Sequence, residues 1–179
     1  MTHGASGTRP ATEEAVAFWQ QVAAYAAVYN QDKQRIVDQL DPSLRSIHSS
    51  DDGFTDRVTM HINVRVPVGM TIESVEHHIA KFANGATLAF SSEEPPFRAE
   101  KNNALVRAFL NSIRDVGGKP AFTLKTGTAD MNIAGPAWQC PIVAYGPGDS
   151  ALDHTPNEHL DLEEYARAIN VLAQVLAVL

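Results

Sequence analysis

A chain of 179 residues is long enough for one full domain or two small ones. Its 44 % hydrophobic and 20 % charged residues are those of an ordinary soluble globular protein, and its net charge of −7 argues against nucleic acid as a partner. No apolar run could span a bilayer, the N-terminus has no apolar signal region, and the single cysteine, Cys140, excludes an internal disulfide, so no membrane association and a cytoplasmic location are expected.

Residues 11–29 predict a helix, because Phe18, Val22, Tyr25 and Tyr29 share one face of a 3.6-residue period. SLRSIHSS and RVTMHINVRVP predict two strands around a DDG turn at 51–53. In the second, Val58, Met60, Ile62, Val64 and Val66 alternate with Thr59, His61, Asn63 and Arg65. A helix is expected over 71–82, with Ile72, Val75, Ile79 and Phe82 on its stripe, and a strand over 86–90 (ATLAF). Helix, strand, strand, helix, strand is the order of a ferredoxin-like βαββαβ unit without its first strand. The polar, proline-containing stretch at 92–102 reads as a linker. Beyond it are expected a helix over 103–116, short strands near PAFTL and PIVAY, and a last helix from about 161. That last helix has Leu162, Tyr165, Ile169, Leu172 and Leu176 on its stripe and Asp161 as N-cap. The fold class expected is therefore α/β (α+β), in two parts: 1–91 and 103–179.

Three places could carry chemistry. LDHTPNEHLDL at 152–162 sets His154 between a glycine loop and a helix start, where side chains are commonly presented to ligands. Neutral imidazole is a zinc ligand, and Glu158 four residues on could orient it; the alternative is a solvated polar loop. KTGTADMN at 125–132 could bind a carboxylate through backbone amides and a hydroxyl, or be a plain turn. GPGD at 146–149 could let backbone approach a ligand closely, or be only a tight turn. His61, Asn63 and Arg65 form a polar strand face that could meet a substrate, a partner chain or only water. His77, His78 and His159 read as surface residues, and Cys140 as filler beside an apolar strand.

Taken together, KTGTADMN, VAYGPGD and LDHTPNEHLDLEEY resemble the C-terminal signature of a zinc amidohydrolase family. Its members include acetylornithine deacetylase, succinyl-diaminopimelate desuccinylase, aminoacylases and carboxypeptidase G, and the likeness is greatest to the acetyl-lysine deacetylase branch. THGASG at 2–7 resembles the family's entry to its lid, and HINVRVPVG at 61–69 its lid strand. The resemblance implies a ferredoxin-like lid and dimerisation domain at 1–91, followed at 103–179 by the C-terminal portion of an α/β zinc-hydrolase domain. It further implies two zinc ions in the intact enzyme, with His154 as one ligand and Glu158 as its outer partner. His3 becomes the lid histidine that polarises the scissile carbonyl in the neighbouring subunit's site. Asn63, Arg65, Thr128, Asn132, Gly146 and Gly148 fall around the substrate, a small N-acyl amino acid or a carrier-protein-linked one. Some branches carry arginine at the Asn132 position; asparagine fits the acetyl-lysine branch. The implied setting is lysine or arginine biosynthesis, and the implied assembly a homodimer through the lid. The half that in the family precedes the lid, with its H-x-D motif, bridging aspartate, Glu-Glu pair and further acidic ligand, has no counterpart in this sequence. The chain alone is therefore expected to be inactive and not to retain zinc. The alternative is a non-catalytic dimerisation or ligand-binding module derived from the family.

Overall fold

A computed structural model of the chain describes residues 9–91, 93–125 and 127–179. In order come α1 (Ala11–Tyr29), two 3₁₀ turns (Asn30–Asp32 and Ile36–Asp38), β1 (Asp41–Asp51), β2 (Asp56–Arg65), α2 (Ile72–Ala80), α3 (Ala104–Asp115), α4 (Met131–Trp138) and α5 (Leu162–Val178). The chain divides into two units. One runs through Pro96 and includes Lys125–Thr128; the other comprises Phe97–Leu124 and Ala129–Leu179.

The first unit is built on the two periodicities legible in the sequence. Val22 and Ala26 of α1 and Val75 and Ile79 of α2 are buried with Leu40, and Phe18, Tyr25, Tyr29, Val64, Phe82 and Leu88 pack around them. Thr71 caps α2, its Oγ1 accepting the Ser74 N–H at 3.2 Å. β1 and β2 pair antiparallel, with Ser46 opposite His61 and Asp41 opposite Arg65, and the register shifts between Leu44 and Ser46. Val58, Met60, Ile62 and Val64 are half-buried, whereas Arg57, Thr59, His61 and Asn63 are exposed. The hairpin turn is fixed by its own carboxylates. Asp51 accepts the Gly53 N–H at 2.6 Å, and Asp52 accepts those of Phe54 and Thr55 at 2.9 and 2.7 Å. Those bonds, Phe54's first, hold the Asp52 carboxyl below its ordinary range.

The second unit is held by α3 against α5. Phe109 of α3 is buried with Val171 and Val175 of α5, and Leu105, Ala108, Ile113, Val116 and Val143 pack on them. Asn103 caps α3 by accepting the Val106 N–H at 2.9 Å, and Asp161 caps α5 by accepting that of Glu164 at 2.7 Å.

Several expectations are corrected. The segments at 86–90, 120–124 and 141–145 are not strands, and the sheet of the described residues has two strands only. A strand exists as a member of a ladder, and these segments have no neighbouring strand to pair with. Leu88 and Val143 use their side chains, not their backbones, in the two cores. The turn at KTGTADMN leads instead into α4, an eight-residue helix that the sequence hides by placing Gly135 and Pro136 inside it. Gly135 is buried under Phe97, and an added Cβ would come within 2.3 Å of that ring. On α5 the stripe Leu162, Tyr165, Ile169, Leu172 and Leu176 is exposed; Ala168, Val171 and Val175 beside it are the buried set.

Asn30, at the end of α1, clamps the backbone of Leu40. Its Oδ1 accepts the Leu40 N–H at 2.9 Å, and its Nδ2 donates to the Leu40 carbonyl at 2.8 Å. Leu40 is buried, so Asn30→Ala would strand two backbone groups and is expected to cost about 2 kcal/mol in urea unfolding. Asn30→Asp, which keeps only the acceptor, should cost less than the alanine variant.

Candidate active site

Each unit carries its own group of site residues. In the first, Asn63 and Arg65 lie two positions apart on β2 and share a face with His61. Asp41, directly across the ladder, accepts a hydrogen bond from Arg65 Nη2 at 2.5 Å. Both side chains are about two-fifths exposed, which places the pair among those worth about 0–1 kcal/mol. Its main consequence is orientation: it fixes the guanidinium at the end of the strand. Thr128, also in this unit, is exposed.

In the second unit the loop between Tyr145 and α5 is a series of turns. Asp149 accepts the Ala151 N–H at 2.9 Å, and Thr155 Oγ1 donates to the Leu152 carbonyl at 2.8 Å. His154 stands in it with φ +64°, a left-handed conformation uncommon for any residue but glycine. Its N–H donates to Glu158 Oε2 at 2.9 Å, and its exposed ring makes no hydrogen bond among the described residues. Glu158 thus holds the backbone of His154 rather than its ring. His159 stays exposed, its Nδ1 lying 2.7 Å from the Asn157 carbonyl.

Gly148, with φ +100°, donates its N–H to Glu164 Oε1 at 3.2 Å, which ties the GPGD loop to the first turn of α5. That φ suits glycine alone, whereas Gly146 has no positive φ and no atom crowding its Cβ position. Burial and then the Glu164 carboxylate push the Tyr145 hydroxyl up from its ordinary value. Asn132 Oδ1 accepts the Ala129 N–H at 3.0 Å and closes the turn into α4. His3 lies outside the described residues. Two further residues, Asp41 and Glu164, have structural parts in these groups that the sequence did not reveal. Asp41 becomes visible only through the register, and Glu164 was legible only as an acidic residue at a helix start.

Residues 3–178 match the description Peptidase family M20/M25/M40. The chain belongs to the M20 peptidase family. It is 42 % identical over 179 residues to the LysW-lysine hydrolase of Deinococcus radiodurans, covering 97 % of this chain and 49 % of that protein. It is 28 % identical over 143 residues to the LysW-lysine/LysW-ornithine hydrolase of Saccharolobus solfataricus, covering 80 % and 40 %. An M20 metallo-carboxypeptidase of Sulfolobus solfataricus superposes with a TM-score of 0.59 at 16 % identity over 94 % of this chain and 45 % of that one, a likeness of fold. The chain spans about half the length of the curated relatives it matches.

M20 enzymes are hydrolases and generally depend on a metal. A catalytic zinc takes about three protein ligands. Among the described residues no three of His, Cys, Asp and Glu come together, so these residues do not by themselves form a metal site. None of the described helices is long and apolar enough to cross a membrane.

The left-handed backbone of His154 costs on the order of 1–2 kcal/mol for a residue with a Cβ. If the imidazole is the reason for it, His154→Gly should raise stability in urea unfolding by about 0.5–1 kcal/mol, and His154→Ala should not. A glycine variant no more stable than wild type would show that the loop carries no strain there.

Proposed function

We propose that this chain forms part of a hydrolase that releases lysine or ornithine from an amide link to a LysW carrier protein, with free N-acyl amino acids as the simpler substrates of the same chemistry. The observation that carries the reading is His154, exposed, left-handed and pinned through its backbone by Glu158 inside the DHTPNEH run. The likeness to the Deinococcus radiodurans protein along nearly the whole chain supports the substrate class.

In this reading residues 1–91 are the lid and dimerisation domain, 92–102 the linker, and 103–179 the C-terminal segment of the catalytic domain. His154 supplies one ligand to a zinc site whose other ligands lie outside the described residues. Arg65, held by Asp41, and Asn63 meet the substrate from the lid strand; Thr128, Asn132 and the Gly146–Gly148 loop do so from their turns. His3, from the other subunit of a homodimer, donates to the oxyanion, an interaction worth roughly 3 kcal/mol.

The pure 179-residue chain should turn over neither LysW-linked lysine nor N-acetyl-lysine. Chelator-sensitive turnover by it alone would refute the reading of an incomplete site. Light scattering should give twice the chain mass. A monomer at high concentration would remove the lid dimer.

In an enzyme completed with the rest of the family fold, His154→Ala should lower both zinc content and rate. His3→Ala should keep zinc and KM but lower kcat by roughly 10²–10³. Mixing the two inactive variants should restore activity, because each mixed dimer has one site with both histidines intact. No recovery despite confirmed subunit exchange would place His3 outside its neighbour's site. A completed protein that binds the substrate but neither zinc nor turns it over would instead be a binding module.

A further inference from the structure

We propose that His48 of β1 and His61 of β2 form a two-imidazole site for a divalent transition ion of the zinc, nickel or copper kind on the polar face of the hairpin. The proposal rests on the strand pairing and is independent of the reaction proposed above.

Ser46 pairs with His61 and His48 with Thr59, and from there the register runs unbroken to Asp51 opposite Asp56. Side chains two positions apart on a strand share a face, so Ser46, His48, Thr59 and His61 lie together, with the two imidazoles on one diagonal. Diagonal neighbours stand about 7–8 Å apart, within reach of ring-bearing side chains. A nitrogen of each ring can therefore approach one ion at about 2.0–2.1 Å. The other diagonal holds Ser46 and Thr59, whose side chains are too short to fill the space between the rings. His48 and His61 are both exposed, and neither ring takes part in a hydrogen bond, ion pair or ring contact among the described residues. His78, by contrast, is stacked on Tyr25, and the His159 ring is engaged with the Asn157 carbonyl.

The donor set selects the ion. Asp51 and Asp56, at the turn end of the ladder, fall on the opposite face, and Asp41 is engaged with Arg65. Calcium and magnesium need such oxygen ligands, whereas imidazole suits zinc, nickel and copper. Water completes the coordination. Two protein ligands are fewer than the about three or four of catalytic and structural zinc sites, so the site takes its ion reversibly. A bound ion ties β1 to β2 across a sheet that has only those two strands among the described residues.

The test titrates the purified chain with Zn²⁺ and follows each histidine ring by NMR, the signals assigned through the backbone. Those of His48 and His61 should move together with one affinity, a result that depends on no variant. Two ligands on one scaffold bind far more tightly than either alone. His48→Gln should therefore weaken binding at His61, and His61→Gln at His48, by about tenfold or more. Exchanging neighbours, His48→Ser with Ser49→His, keeps the composition but turns the imidazole to the opposite face. It should weaken binding as much as His48→Gln does. These side chains are exposed, so the circular dichroism of every variant should stay that of the wild type. The proposal is overturned if the two rings respond with different affinities, or if either keeps its affinity when the other is replaced. It is overturned equally if the exchanged chain binds as the wild type does, or if zinc moves only the signals of other histidines.

Discussion

Two carboxylates hold the backbone of the loop that carries His154, and one of them, Glu164, depends on where α5 begins. Glu164 accepts the Gly148 N–H from the first turn of the helix, while Asp161 caps that same turn through the Glu164 N–H. Glu158 then accepts the His154 N–H. A hydrogen bond to a charged group contributes about 1.5–3 kcal/mol, and exposure puts these nearer the low end. Their value is geometric. α5 is placed by Val171 and Val175 against Phe109 of α3, so the apolar contact between two helices sets where Glu164 holds the Gly148 end of the loop that carries His154.

The first unit has a parallel chain of dependence. α1 is positioned by Val22 and Ala26, its terminal Asn30 clamps the Leu40 backbone, and the next residue, Asp41, accepts from Arg65 across the ladder. The guanidinium at the end of β2 is therefore set, three steps removed, by the packing of a helix. In both units a weak polar contact is given direction by an apolar one, which is how exposed groups acquire fixed orientations without being buried.

Much of this was legible from residue pattern. The bounds of α1, the alternation in β2, the Asp161 cap and the turn at Asp51–Gly53 follow from local rules that tertiary context did not override. The misses have physical causes. ATLAF, PAFTL and PIVAY have strand composition, but pairing is a property of two segments and composition belongs to one. α4 contains a glycine and a proline, and the reason for the glycine, the Phe97 ring above it, is a contact between residues 38 positions apart. α5 offers two apolar stripes side by side, and periodicity alone does not choose between them. Of the candidate site residues, the pattern marked out His154 as exposed in a loop. It did not reveal the left-handed backbone, nor that Glu158 would act on the N–H instead of the ring.

The hairpin shows how edges bear on assembly. Two strands alone are marginal in water, and here α1 and α2 supply the apolar support for one face. The strands' outer edges differ. β1 contains Pro42, which has no N–H to offer, and an irregularity between Leu44 and Ser46, both features that discourage a further strand. β2 has no proline in Asp56–Arg65, and its alternation is unbroken from Arg57 to Val64. Sheet extension, by any strand, is thus better supported beside β2 than beside β1. Because Asn63 and Arg65 lie on β2, a strand added there would change the surroundings of those two side chains directly. The same extension beside β1 would reach them only through Asp41.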